Sequence, residues 1–265
     1  MNDLIYVYCI SDKRLENIRD FDLKTVENIQ VGDFFAIIKR VSAAEFSEVN
    51  FKANLSNAEW LEKNAREHIL VISRIMEAGP LIPFRFGTIY YSREGLEKFV
   101  TDFSISLTDN FNYLRGKEEW AVKIYCDRRI LADQIDELSE EASNLEVQIM
   151  GSSPGKAFLL KRKKSELIEI EMDRLCKNFG QAYFNELRDL SIATGLNNLL
   201  PKEFTGRNDT MMLNATFLVE SEKIGLFSAA VEVMKTKAGK SGFFIEQTGP
   251  WPLFSFVHIK ENPKQ

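Results

Sequence analysis

Histidine is scarce in this 265-residue chain, occurring only at positions 68 and 258. Metal sites and imidazole-based acid–base chemistry gather several such groups, and neither His68 nor His258 has a second ligand at helical spacing. No metal and no cofactor is therefore expected. Cysteine is also sparse: Cys9, Cys126 and Cys176 lie far apart without a CxxC pair, which excludes a disulfide framework and suits a reducing cytoplasm. Apolar runs stay well below the ~20 residues that cross a bilayer, and the uncharged stretch Gln247–Ile259 is interrupted by Pro250 and Pro252. The first residues, MNDLIYVYCISDKR, place Asp3 where an export signal is basic. Positive charge is not in excess, since the formal net charge is -5, whereas phosphate recognition needs a concentrated positive field. Neither a nucleic acid nor a membrane is an expected partner.

Catalytic signatures are missing as well. No GxGxxG, GxSxG or HExxH occurs. Gly151-Ser152-Ser153-Pro154-Gly155-Lys156-Ala157 looks like a phosphate-binding loop but is one residue short, and no Ser or Thr follows Lys156 to hold magnesium. A helix-like segment precedes it where a strand is required, so a helix-to-helix connection is the simpler reading.

What is present is a globular composition, 45% hydrophobic and 28% charged, in a chain long enough for two modest cores. Leu4–Ile10 and Val31–Arg40 read as strands. Ser56 followed by Glu59 has the form of a capping box, after which Leu61, Ala65, His68, Ile72 and Ile75 form one helical stripe that stops at Gly79-Pro80. LIPFRFGTIY (Leu81–Tyr90) reads as two short strands or one kinked strand. From Ser92 a single helix is expected, with Leu96, Phe99, Phe103, Leu107, Phe111 and Leu114 on its core face and its end at Gly116.

Gly116–Glu119 marks the domain boundary. Beyond it come a strand at Trp120–Cys126, helical text over Ile130–Ile149 and Gly155–Leu187, and a short strand near Leu190–Thr194. The basic run Lys161–Lys164, followed by Glu166, Glu169 and Glu171, reads as a solvated helix face. A loop over Gly195–Asp209 leads to a strand at Met211–Glu220, a helix capped by Ser221, and strands at Phe243–Gln247 and Phe254–Ile259. The expected class is α+β with two α+β domains. Residues 1–115 form the first, and 116–265 a ferredoxin-like βαββαβ domain with a long helical extension over about 127–189.

Two motifs carry more special backbone residues than ordinary strands do. In PFRFGT, Arg85 lies between Phe84 and Phe86, so it must be ion-paired, stacked on a ring or exposed at a binding surface. In TGPWPLFSFV (Thr248–Val257) two prolines stiffen the backbone around Trp251, which suits a core plug or a contact anchor equally. Arg85, Phe86, Trp251 and Phe254 are the candidate partner-binding residues, and no catalytic residue is proposed.

LIYVYCI, LIPFRFGTIY, GKEEWAVKIY, NATFLVE and TGPWPLFSFV occur in the order found in gas vesicle accessory proteins of the F/L family, which the chain resembles over nearly its whole length. That resemblance implies a non-enzymatic, cytoplasmic protein of gas vesicle assembly. Its partners would be the hydrophobic shell structural protein and other accessory proteins, and its role that of chaperone, nucleator or minor structural component. The competing expectation is a small-molecule-binding protein or enzyme with an interdomain pocket, in which Arg85 would hold an anion.

Overall fold

The computed structural model describes residues 3–15 and 25–262. By its contacts the chain divides into two compact units, Met1–Glu118 with Trp251–Gln265, and Glu119–Pro250. Helices and sheets occur in both, which makes the protein α+β.

In the first unit, strand β1 (Asp3–Ser11) is the centre of the sheet. β2 (Val26–Val31) and β3 (Phe34–Ser42) form a hairpin through Gly32-Asp33, where the sequence suggested one strand from Val31. Helices α1 (Ala43–Phe46), α2 (Glu48–Asn54) and α3 (Ala58–Met76) follow, then β4 (Leu81–Pro83) and β5 (Ile89–Tyr90). The strand order is β2-β3-β1-β4, with β5 also on β1. β1 is buried on both faces. Ile5, Val7 and Ile10 enter one core cluster, while Leu4, Tyr6, Tyr8 and Cys9 enter another. Consecutive Tyr8 and Cys9 share a face because the register to β3 shifts between Val7 and Cys9, as a bulge requires. Val71, Ile72 and Ile75 of α3 cover the tyrosine face.

The cap of α3 is Asn57, not Ser56: its side chain accepts from Trp60 N at 3.1 Å. Ser56 is taken up in the turn closing α2, its N–H donating to Ala53 O at 3.2 Å. The single helix expected from Ser92 is two, α4 (Arg93–Asp102) and α5 (Ser104–Leu114), broken at Phe103. Asn262 occupies the break: its N–H donates to Asp102 O at 2.8 Å, its Nδ2 to Thr101 O at 3.0 Å, and its Oδ1 accepts from Ile105 N at 3.3 Å. An inserted side chain thus satisfies backbone groups that the helical ladder leaves open.

The second unit comprises β6 (Lys117–Cys126), α6 (Arg128–Asp133), α7 (Ile135–Leu138), α8 (Glu140–Met150), the 35-residue α9 (Pro154–Arg188), β7 (Ala193–Leu196), α10 (Lys202–Thr205), β8 (Thr210–Glu220), α11 (Ile224–Ala238) and β9 (Phe243–Trp251). Its strand order is β7-β8-β6-β9. The helix expected over Ile130–Ile149 is three pieces, with breaks at Gln134 and at Ser139, whose side chain caps the last piece. Gly151–Ser153 joins α8 to α9. Ser221 opens a short 3-10 turn ahead of α11 rather than capping it. Phe227, Val231 and Met234 point into the core.

Phe254–Ile259 is not a strand. The segment from Trp251 groups with the first unit, so the second closes at Pro250 rather than at the C-terminus. Val257 and Ile259 pack on the first unit's core, which draws this tail there.

Candidate interaction surface

Arg85, Phe86, Gly87 and Thr88 form a tight turn fastened to β1. Thr88 N and Oγ1 both donate to Arg85 O, at 3.1 and 2.8 Å. On either side, Phe84 N donates to Tyr8 O at 2.9 Å and Val7 N to Thr88 O at 3.0 Å. Gly87, third in the turn, has φ +81°, which only glycine adopts readily. A Cβ there would lie 2.4 Å from Phe51 Cζ, so the ring of α2 leaves no room for one.

Beneath the turn runs a hydrogen-bond chain. Gly87 N donates to the Tyr6 hydroxyl at 3.2 Å, that hydroxyl meets His68 Nδ1 at 2.9 Å, and His68 Nε2 meets Phe84 O at 3.0 Å. A carbonyl only accepts, so Nε2 carries the proton and Nδ1 accepts from Tyr6. His68 is 2% exposed. Burial pushes its pKa down to about 4, against the opposing pull of the Phe84 carbonyl. Burial likewise raises the Tyr6 hydroxyl, which keeps it a donor. Next to it, burial disfavours an ionised Glu67, yet Lys39 at 2.6 Å and the Tyr8 hydroxyl at 2.9 Å hold the carboxyl below its ordinary value. His68 is thus a buried histidine with both ring nitrogens partnered. Among the described residues no group of three or more His, Cys, Asp or Glu could hold a metal.

Phe86 and Phe254 meet on this histidine, their ring centroids 5.7 and 6.4 Å from the imidazole. Phe86 also lies 5.8 Å from Phe51. Arg85 is exposed, and among the described residues its guanidinium makes no ion pair, unlike the paired arginine that was one expectation. Trp251 is 41% exposed and so is no core plug; Leu253 and Phe256, at 8% and 4%, are the buried anchors of that motif. The structure therefore gathers Phe86 and Phe254 around His68, sets Arg85 beside them in the chain, and leaves Trp251 outside the lining of the groove described next.

Along this face of the first unit runs a groove of about 1120 Å³. Its lining includes Phe84, Phe99, Phe103, Phe254, Val257 and Ile259, with Arg85 and Lys260 also along it. Phe99 stacks on Phe103 at 4.7 Å and meets Phe84 edge-on at 5.4 Å. The sequence placed Phe99 and Phe103 in the core stripe, but the break at Phe103 leaves both half-buried while Leu96, Leu107 and Phe111 are buried. The available signal was the excess of aromatic rings on that stripe. Among the described residues the lining holds no carboxylate and no cysteine. No helix of the described residues is long and apolar enough to cross a membrane.

An α+β protein with an open aromatic groove is the class that fold and surface define. The chain matches, over residues 4–258, the model of the family described as gas vesicle synthesis protein GvpL/GvpF, and it belongs to that family. It is 26% identical over 230 residues to gas vesicle protein L of Streptomyces sp. (strain CB03234), covering 87% of this chain and 82% of the relative. Gas vesicle protein F of Dolichospermum flosaquae is 25% identical over 186 residues, 67% of this chain and 70% of the relative. Among solved structures, GvpF from Anabaena sp. PCC7120 aligns with a TM-score of 0.69 at 19% identity, covering 98% of this chain and all of the other. GvpF from Microcystis aeruginosa aligns at 0.65 and 20%, covering 97% and 100%. These two show a shared fold.

Proposed function

We propose that this protein acts in gas vesicle assembly as a non-catalytic contact protein that covers the apolar shell subunit before it is built in. The single observation that carries this reading is the groove: an aromatic lining that, among the described residues, holds no cysteine and no carboxylate. Stiff rings offer large apolar contact at little conformational cost, and a very apolar subunit needs such cover to stay out of aggregates. Family membership supplies the process, and a cytoplasmic location at or near growing vesicles follows from that role. Contacts to other accessory proteins, with Trp251 as an anchor outside the groove, belong to the same proposal.

Co-expression tests it. The shell subunit, insoluble alone, should stay soluble and co-purify with the wild-type chain but not with a folded Phe103→Glu/Phe254→Glu variant. A shell subunit that aggregates equally with and without the wild-type chain refutes the reading.

A further inference from the structure

The groove of the first unit has a charge pattern that an apolar lining does not require. Arg85 and Lys260 both lie along it, and among the described residues neither side chain has an ion-pair or hydrogen-bond partner. Other arginines of the chain do find carboxylates: Arg207 is paired with Asp209 at 2.6 Å, and Arg128 with Glu169 and Asp173 at 2.7 and 2.6 Å. In a chain with 39 acidic and 34 basic side chains such partners are plentiful. Two cations and no carboxylate make the described lining of the trough positive, while Asp109 and Glu261 line an adjoining hollow that shares Lys260. Both cations are exposed, so they would attract and orient an incoming anion through a salt-sensitive field rather than through a buried pair.

The trough's volume, about 1120 Å³, exceeds the roughly 300–1,000 Å³ of small-molecule pockets. An apolar stripe with charges along it matches a helix laid in a groove, where one face meets rings and flanking side chains meet charges. We propose that this groove receives an amphipathic helix of a partner polypeptide, its apolar face on Phe84, Phe99 and Phe103 and its carboxylates paired with Arg85 and Lys260. The inference rests on the contact role proposed above and adds the chemistry of the segment that is seated.

The test uses the purified full chain and two labelled helical peptides with the same leucine face, one flanked by glutamates and the other by lysines, read by fluorescence anisotropy. The acidic peptide should bind at least about tenfold more tightly than the basic one, with an affinity that falls as salt is added. Arg85→Glu/Lys260→Glu should reverse that preference, and Phe103→Glu, checked for folding by circular dichroism, should weaken both. Lys161→Glu/Lys163→Glu, the same charge change on the exposed part of α9, should alter neither. Equal binding of the two peptides, no binding of the acidic one, or an acidic preference that survives the Arg85/Lys260 reversal overturns the proposal. Because no shell subunit takes part, this result is independent of the co-expression test: shell capture can fail while the groove keeps its acidic preference, and the reverse.

Discussion

Asn110 and His258 hold each other through two hydrogen bonds: Asn110 Oδ1 accepts from the His258 main-chain N–H at 2.9 Å, and Asn110 Nδ2 donates to the His258 carbonyl at 2.8 Å. A side-chain amide thereby takes the place of a neighbouring strand. Ser106, one turn earlier, donates to the same carbonyl at 3.2 Å and accepts from Lys260 N at 3.0 Å. The C-terminal tail is thus secured to α5 by polar side chains, with Val257 and Ile259 beside them on the core.

Removing the amide should loosen that tail. Asn110→Ala leaves the His258 N–H without a partner and its carbonyl with Ser106 alone, an expected cost of about 1 kcal/mol. Urea unfolding should show that loss, and limited proteolysis should cut the tail earlier than in the wild type.

Gly87→Ala should be more damaging. The added Cβ meets the Phe51 ring and must also adopt φ +81°, so a loss of about 3 kcal/mol is expected from strain and overlap together. Combining it with Phe51→Ala should recover the steric part and leave the backbone part, a non-additive pair in a double-mutant cycle.

Tyr6→Phe keeps the ring but removes the hydroxyl between Gly87 N and His68 Nδ1. The expected cost is about 2 kcal/mol, because both groups are left unpaired. In the His68→Gln background the same substitution should cost less, since the two side chains share one network.

His68 should make stability depend on pH. Its folded pKa, about 4, lies below the ordinary value of 6.5, so the unfolded chain binds this proton more readily. Stability from keeping the imidazole neutral is fully present above pH 6.5 and is lost as pH falls towards 4. The total is about 3 kcal/mol at 1.36 kcal/mol per pH unit. Urea unfolding at a series of pH values should show this decline in the wild type and a flatter profile in His68→Gln. Parallel profiles would remove His68 as the cause.

Local rules made much of the fold legible. β1 announces itself through seven apolar or aromatic residues in succession, because a strand covered on both faces has no polar side to show. The stripe of α3, the long α9 and the inward residues of α11 follow from helical spacing. PFRFGT also marked itself as unusual, since glycine after an aromatic pair belongs to a turn rather than a strand.

Two of the misses share one physical origin. Phe254–Ile259 has strand-like composition, but its backbone partners are side chains of α5 over 140 residues earlier in the chain. Similarly, the Ser92–Gly116 text is periodic throughout, and the break at Phe103 is stabilised by Asn262, far beyond any helical window.

By itself the sequence determined the α+β class, the principal helices and the family to which the chain belongs, since each rests on short-range pattern or on motifs read in order. Tertiary structure alone decided that Phe99, Phe103, Phe254 and the tail residues share one groove, and that Arg85 is exposed without an ion pair among the described residues. Those facts depend on which distant backbone groups satisfy each other, and hydrogen bonds across such separations leave no periodic trace in the residues that make them.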